Sequence, residues 1–357
     1  MDMTDATPIT MVTDHENFTV HTNVTTFIYP AEYYKLNALI TFLNTYYIWI
    51  IFAFGFPGNT LSLFVIFRMS KTGLTTSLFY VAVLSSVDNI TIILKIIENQ
   101  TRQMKMSIDE TGCQFLFFFG LTCAASANWT LIVISAERFT AVALPFKVAL
   151  VWSLKRAVVI IVGVVVFLCF IHSHIFITVT HYEHYTCTVK ERFHKYLMIW
   201  FFISASVFAF IPAGFLIVLN ALTVLIMRRS TTRRQIMTSA YGHVHRAARR
   251  QERHITVMLV ALAIGFLVLN IPRCVYVIAY NYICSSDEDV MCSTRRGFVN
   301  ILTTQIADSN HAINFYLYFM TGRKFRAQTL KLFQCRRATF LSSGPSQSSE
   351  IPFTESS

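Results

Sequence analysis

Seven long apolar blocks alternate with short polar connections along this chain. They lie at about 45–68, 75–99, 112–143, 154–178, 196–227, 252–280 and 298–320. A helix needs about 20 residues to cross the hydrocarbon core of a bilayer, and each block is long enough. The pattern therefore predicts an all-α fold, a bundle of seven transmembrane helices over residues 45–320.

The segments that flank this bundle are polar. Residues 1–44 are Thr-rich and lack the basic start and short apolar core of a cleavable signal, so we expect a disordered, glycosylated extracellular segment. Residues 321–335 have the pattern of an amphipathic eighth helix on the inner membrane face. The Ser-, Gly- and Pro-rich residues 336–357 predict a disordered cytoplasmic tail.

Composition agrees with a membrane protein, since 54% of the residues are hydrophobic and only 14% are charged. The net charge of +11 invites a nucleic-acid interpretation, but the basic residues collect in the predicted inner segments and the acids in the outer ones. This is the positive-inside pattern, which places the amino terminus outside and the carboxyl terminus inside. We expect a multi-pass protein of the plasma membrane. The basic connection 228–251 is equally typical of membrane anchoring.

Short motifs follow one another in these blocks in a fixed order. They are Gly58-Asn59, Leu84-Ser-Ser-Val-Asp88, Glu137-Arg138-Phe139, Pro145, Pro212, Phe266 with Pro272, Asn310, Asn314-Phe-Tyr-Leu-Tyr318 and Phe325-Arg326. Each is weak alone. As an ordered set over about residues 45–335 they resemble the rhodopsin-like (class A) family of G-protein-coupled receptors.

Several positions depart from that family's usual pattern. Asn270 stands where most members have a tryptophan two residues before the sixth-helix proline, Phe315 replaces the seventh-helix proline, and Asn220 replaces a fifth-helix tyrosine. The pairing of Asn-x-Pro with Asn-Phe-x-x-Tyr is similar to invertebrate neuropeptide receptors of the FMRFamide and myosuppressin type.

The resemblance implies a role for the acidic-Arg-aromatic motif. Arg138 would pair with Glu137 and, across the bundle, with Glu252, and opening of the bundle would free Arg138 for a cytosolic heterotrimeric G protein. For Glu252 the alternative is a surface pair with Arg249. Tyr318 belongs to the same coupling set, and the implied activation switch comprises Pro212, Phe266, Asn270 and Pro272.

The resemblance also implies a polar cluster in mid-membrane. Asp88 would be buried, with Asn59, Asn310 and Asn314 as hydrogen-bond partners, and such an acid can hold sodium or a proton. The alternative is a structural polar cluster that binds no ion. No other cofactor is expected.

Modification sites follow from the predicted topology. Cys113 and Cys187 resemble the family's outer disulfide, and Cys284 with Cys292 are a possible second bridge. Asn17, Asn23 and Asn99 lie in glycosylation motifs. Cys335 is a candidate palmitoylation site by its juxtamembrane position, and the alternative is an unmodified cysteine. The resemblance also implies a receptor kinase that phosphorylates the serine-rich tail, and arrestin as the partner that binds there.

The ligand class is predicted from two key side chains that the bundle lacks and from the charged residues in its outer half. Gly120 stands where an amine receptor needs a carboxylate, and Asp308 stands where an opsin needs its retinal lysine, so both types are disfavoured. Charges of both signs in the outer half suit a peptide ligand; these residues and one amide are Lys95, Glu98, Arg273, Gln305 and Asp308. The alternative is internal pairing, Lys95 with Glu98 and Arg273 with Asp308.

No phosphate loop, nucleophile elbow or zinc-spaced Cys/His set is found, so we predict a receptor rather than an enzyme. We expect it to bind a neuropeptide and activate a G protein, with no nucleic-acid partner. Alternatives are a chemosensory receptor of the same fold and, from another class, a seven-span transporter or ion channel. His172, His174, His181 and His184 suit a metal or pH site, or are scattered loop residues.

Overall fold

A computed structural model describes residues 30–71, 73–144, 147–182, 186–235, 243–283 and 289–342. The predictions for Asn17, Asn23, Pro145, His184 and Cys284 lie outside these residues. The same holds for the tail beyond residue 342.

Helices account for nearly all of the described chain, which confirms the predicted all-α bundle. The first four long helices are α1 (Ala31–Ser70), α2 (Thr76–Gln103), α3 (Glu110–Ala143) and α4 (Leu154–His172). Helix α5 comprises Leu197–Ala205, a π-helical turn at Ser206–Phe210, and Ile211–Gln235. The last three are α6 (His243–Ile283), α7 in two segments (Val290–Asp308 and Asn310–Thr321) and α8 (Arg323–Ser342).

Shorter elements connect these helices. They are single helical turns at Val148–Val151 and Ile175–Thr178, a 3₁₀ turn at Glu191–Tyr196, and the strands β1 (Val179–Tyr182) and β2 (Thr186–Val189). The two strands pair antiparallel, with His181 opposite Cys187. This hairpin was not predicted.

Within the described part of the chain, six helices are long and apolar enough to cross a membrane. The seventh block is not among them because α7 is interrupted at Ser309 and carries Arg295, Arg296 and Asp308. The interruption is local. The Ala312 amide donates to the Ser309 carbonyl instead of the oxygen one residue earlier, which tightens the turn.

Helix boundaries differ from the predicted ones at both ends of the bundle. Helix α1 begins at Ala31, so residues 31–44 of the predicted disordered segment are helical. Glu32 in its first turn forms a two-pronged ion pair with Arg295 of α7, with nitrogen–oxygen distances of 3.0 and 2.7 Å. This pair and the Gln305 amide, which donates to the Leu43 carbonyl at 2.9 Å, hold the extension against α7. Helix α8 likewise runs to Ser342, into the predicted tail.

Side-chain caps explain where three helices start. Thr75, Asp109 and Ser153 precede α2, α3 and α4, and each side chain accepts a hydrogen bond from the backbone amide three residues later. A cap of this kind satisfies one of the four amides that a helix start leaves without a partner.

Helix α3 is the centre of the bundle, since it contacts α2, α4, α5 and α6. Helix α1 lies against α2 and α7 at one side. Helix α4 is peripheral, and its exposed face is entirely apolar over Val158, Val159, Val162, Val166 and Phe170. A face of this composition suits lipid rather than water.

We name the two ends of the bundle by residues that mark them. The disulfide end holds Cys113 at the start of α3, joined to Cys187 of β2. The Arg138 end holds the last turns of α3. The Cys113–Cys187 bridge confirms that part of the predicted disulfide pattern.

Helices α1, α2 and α7 meet closely at Gly55. A Cβ atom there would lie 2.7 Å from Ile92 Cδ1 and 2.9 Å from Ala312 Cβ. We expect Gly55→Ala to lower the free energy of unfolding by about 1–3 kcal/mol through overpacking. Thermal unfolding of purified protein measures it.

Gly163→Ala of α4 is the matched control, because a Cβ there meets no atom within 4 Å. Replacing a helical glycine in open space should leave the unfolding midpoint unchanged or raise it slightly. Equal effects of the two substitutions would contradict the close packing at Gly55.

Candidate functional site

A buried polar cluster joins α2 to α7 in the middle of the bundle. Asp88 is fully buried, and its two carboxylate oxygens have different partners. Asp88 Oδ1 shares a 2.8 Å hydrogen bond with His311 Nδ1, and Asp88 Oδ2 accepts one of 2.7 Å from Asn314 Nδ2. Because lipid offers no partner to a buried carboxylate, these contacts fix α7 against α2.

Only one of the three predicted partners of Asp88 bonds to it. Asn314 does, whereas Asn59 Nδ2 donates to the His311 backbone carbonyl at 2.9 Å and Asn310 Nδ2 donates to Asn128 Oδ1 at 3.2 Å. The prediction was wrong for Asn59 and Asn310 because each meets a nearer acceptor on α7 or α3. Both still belong to the same buried polar layer.

His311 was missed by the sequence analysis, although a signal existed. It stands three residues before Asn314, so in a helix the two share a face. A histidine in an otherwise apolar stretch, on the face that carries the motif asparagine, points towards the same carboxylate.

The predicted sodium site does not fit these contacts. Hard cations are bound through oxygen, but both Asp88 oxygens already face nitrogen groups of His311 and Asn314. Among the described residues, no three His, Cys, Asp or Glu side chains come together as metal ligands.

A cavity of about 230 Å³ lies between α1, α2 and α7, on the disulfide side of this cluster. Four of the five predicted ligand-pocket residues line it, namely Lys95, Glu98, Gln305 and Asp308. Asn44, Tyr47 and Arg102 contribute further polar wall. The structure thus brings charges of both signs into one concave site.

The internal pairs differ from the predicted ones. Lys95 Nζ lies 2.9 Å from Asp308 Oδ1 and 3.0 Å from Asp308 Oδ2, so Lys95 is paired with α7 rather than with Glu98. Position 308 faces α2 and not α6, which explains why the predicted Arg273–Asp308 pair does not form. Within the described part, Glu98 makes no hydrogen bond or ion pair.

Arg273 lies beside the cavity and not in its wall. Its Nη1 donates to Asn300 Oδ1 at 2.5 Å, and the guanidinium lies 5.3 and 5.2 Å from the ring centres of Phe201 and Tyr276. Asn300 does line the cavity, so Arg273 reaches the site through it.

At the Arg138 end, the acid of the motif is held by α2. Glu137 is buried, accepts hydrogen bonds from the Thr76 and Ser77 hydroxyls, and lies 3.5 Å from Arg138 Nη2. The first turn of α2 therefore positions Glu137. The side chain of Glu252 lies outside the described part of the chain, so its pairing with Arg138 stays a prediction.

The other predicted coupling residue, Tyr318, is buried on α7. Its ring packs against Phe325 of α8 with ring centres 5.6 Å apart. The contact joins α7 to α8 at the Arg138 end. The side chain of Cys335, farther along α8, is not in the described set.

The predicted switch residues lie at the prolines of α5 and α6, and α5 also has a π-helical turn there. Pro212 has no amide hydrogen, so it leaves the Phe208 carbonyl without its helical donor. Asn128 of α3 supplies one instead, donating to Phe208 at 2.9 Å, while Trp129 Nε1 donates to the Val207 carbonyl at 2.9 Å. Neither α3 side chain was predicted.

In α6 one of the predicted switch residues forms a hydrogen bond within its own helix. Asn270, two residues before Pro272, is buried and donates its side-chain amide to the Phe266 carbonyl at 2.9 Å. Phe266 itself is fully buried in the core. At the position where most members of the family have a tryptophan, this chain therefore has an amide, Asn270, that is hydrogen-bonded to its own helix.

The structure describes two of the predicted modification sites, Asn99 and Cys292. Asn99 is buried, and its amide nitrogen donates to the Asn44 carbonyl at 2.7 Å, so this site does not fit an attached glycan. Cys292 takes part in a disulfide, but its predicted partner Cys284 is outside the described residues.

Of the four histidines near α4, the three that the structure describes form no metal-binding group. His172 Nδ1 shares a hydrogen bond of 3.1 Å with Thr122 Oγ1, and the His174 ring stacks on Trp200 with centres 4.0 Å apart. His181 lies in β1. These separate contacts favour the interpretation as individual packing and loop residues.

Comparison with known proteins adds to this geometry. A family model described as 7 transmembrane receptor (rhodopsin family) matches residues 58–318. The chain is also similar to the Caenorhabditis elegans protein named sex peptide receptor-related protein 2, with 23% identity over 240 residues. That match covers 60% of this chain and 52% of the relative, so the chain spans about half the length of the curated relative.

The family match covers both the buried polar layer and the Arg138 motif. It confirms the expectation of a receptor rather than an enzyme, and of a multi-pass membrane protein. The chain belongs to the rhodopsin family of seven-transmembrane receptors.

Proposed function

We propose that this receptor binds an extracellular peptide at the disulfide end and activates a cytosolic heterotrimeric G protein at the Arg138 end. The observation that carries the proposal is the mixed-charge cavity between α1, α2 and α7, at one end of a bundle whose other end holds Glu137 and Arg138. The amino terminus is then extracellular and the carboxyl terminus cytoplasmic, as the basic inner segments favour.

The lining of the cavity supports a peptide over a purely apolar ligand. Lys95 and Asp308 form an ion pair, whereas Glu98 forms none among the described residues, acts on Lys95 only through its charge, and lines the cavity beside them. A cationic group of the ligand would form an ion pair with the Glu98 carboxylate. The relative's name refers to a peptide receptor, which agrees with this choice and with the neuropeptide receptors that the motifs resemble.

The proposed coupling follows from how Glu137 is held. Thr76 and Ser77 of α2 bind its carboxylate, which fixes Glu137 against α2, and Arg138 Nη2 lies 3.5 Å from the same carboxylate. In this proposal Arg138 leaves Glu137 when the Arg138 end widens, and offers its guanidinium to the partner protein. Receptor kinase and arrestin at the phosphorylated tail, palmitoylation of Cys335 and glycosylation of Asn17 and Asn23 belong to the same proposal.

The ligand class is tested by screening amidated neuropeptides on cells that express the receptor, and then by comparing Glu98→Gln with the wild type. We expect the substitution to raise the peptide concentration for half-maximal response about tenfold, as loss of one charge-assisted contact does. Gln100→Glu, on the same turn of α2 and outside the cavity lining, is the control and should change little. A panel that yields no agonist, or unchanged potency in Glu98→Gln, counts against a peptide in this cavity.

Coupling is tested with Arg138→Ala in the same cells. We expect the maximal G-protein response to fall about tenfold or more, because the partner loses a buried charge contact. Surface abundance, measured by antibody to an amino-terminal tag, should stay near the wild-type level.

Arg68→Ala is the control for that experiment, since Arg68 is an exposed basic residue in the last turn of α1. Its response should match the wild type. Arg138→Ala cells that signal normally would show that the bundle transmits through other groups.

A further inference from the structure

We propose that His311 takes the place of a bound sodium ion beside Asp88, so that this receptor neither binds nor responds to sodium at its buried acid. The inference concerns the resting bundle and does not depend on the proposed ligand or on coupling.

The first argument is the occupancy of the carboxylate. One Asp88 oxygen lies 2.8 Å from His311 Nδ1, and the other lies 2.7 Å from Asn314 Nδ2. A sodium ion needs several oxygen ligands at short range, and the imidazole of His311 instead places a nitrogen group beside Asp88 Oδ1. The His311 side chain of α7 thus occupies the position next to Asp88 that a sodium ion from solvent would otherwise take.

The second argument is that His311 is fixed in this position. Its side chain is 1% exposed, and its backbone carbonyl accepts the 2.9 Å hydrogen bond from Asn59 of α1. The next residue, Ala312, packs against Gly55, where even a methyl group would not fit. Helix α7 is therefore held against α1 and α2 at the level of His311, and the imidazole has no free space on that side into which it can withdraw.

The third argument concerns oxygens that remain near the acid. Asn59 Oδ1, Ser62 Oγ and Ser85 Oγ are buried and have no hydrogen-bond partner among the described residues. Ser85 precedes Asp88 by three residues on α2, and Asn59 bonds the backbone of His311. These oxygens would be available to a hard cation only if the imidazole were removed from Asp88.

The test uses the full-length receptor, purified in detergent, and needs no agonist. The thermal unfolding midpoint is measured in increasing NaCl, with choline chloride keeping the ionic strength constant. For the wild type we expect the same midpoint at every sodium concentration.

The variant His311→Ser removes the imidazole and adds a hydroxyl oxygen. We expect its midpoint to be below the wild-type value in choline chloride and to rise saturably with sodium, by about 3 °C, as a ligand that binds only the folded state requires. The double variant Asp88→Asn/His311→Ser should lose that rise, because its carboxylate is gone. His311→Asn, which also presents an oxygen, takes the same role if His311→Ser does not yield folded protein.

Two results would overturn the proposal. One is a wild-type midpoint that rises saturably with sodium and no longer does so in Asp88→Asn, since sodium would then bind in spite of His311. The other is the absence of any sodium response in folded His311→Ser and His311→Asn, because His311 would then not be what excludes the ion.

Discussion

Buried polar groups between α2 and α7 must find their partners inside the protein, because the surrounding lipid supplies none. Asp88 is satisfied by His311 and Asn314, and about two helical turns farther along α2 the Lys95 ammonium is satisfied by Asp308. Two polar contacts at different depths define both the register and the rotation of one helix against the other. The tight passage of α7 past Gly55 and the position of the cavity follow from that alignment.

Helix α3 provides hydrogen-bond donors for buried polar groups of α5 on the opposite side of the bundle. Pro212 and the π-helical turn leave carbonyls of α5 without helical donors, and Asn128 and Trp129 donate to them. A break in one helix is therefore also a specific contact with its neighbour. The Arg138 motif lies at the end of the same α3 helix.

The fold could be predicted because its signal is the length of the apolar blocks, which depends on the bilayer and not on partners. The start of α1 could not, because residues 31–44 are kept helical by Glu32 with Arg295 and by Gln305, contacts between distant parts of the chain. In the site, motif spacing identified Asp88, Asn314 and Glu137. It did not identify the hydrogen-bond acceptor of Asn59 or the ion-pair partner of Lys95. For Lys95 the reason is that the rotation of α7 decides whether Asp308 faces α2 or α6. His311 lay outside every motif, and its spacing of three residues from Asn314 was the one sequence signal that places it near Asp88.

The α2–α7 seam therefore holds polar contacts at two depths, with the apolar contact of Ile92, Ala312 and Gly55 between them. The mixed-charge cavity lies on its disulfide side, and the Glu137–Arg138 motif lies at the other end of the bundle. The most direct test of that seam is a reciprocal exchange, Asp88→Asn with Asn314→Asp, read out as the thermal unfolding midpoint of the purified receptor. Each single variant should unfold at a lower temperature than the wild type, because it pairs two amides or two acids. The double variant restores one acid and one amide across the seam and should recover most of the loss. A double variant that loses as much as the two single variants together would contradict the account.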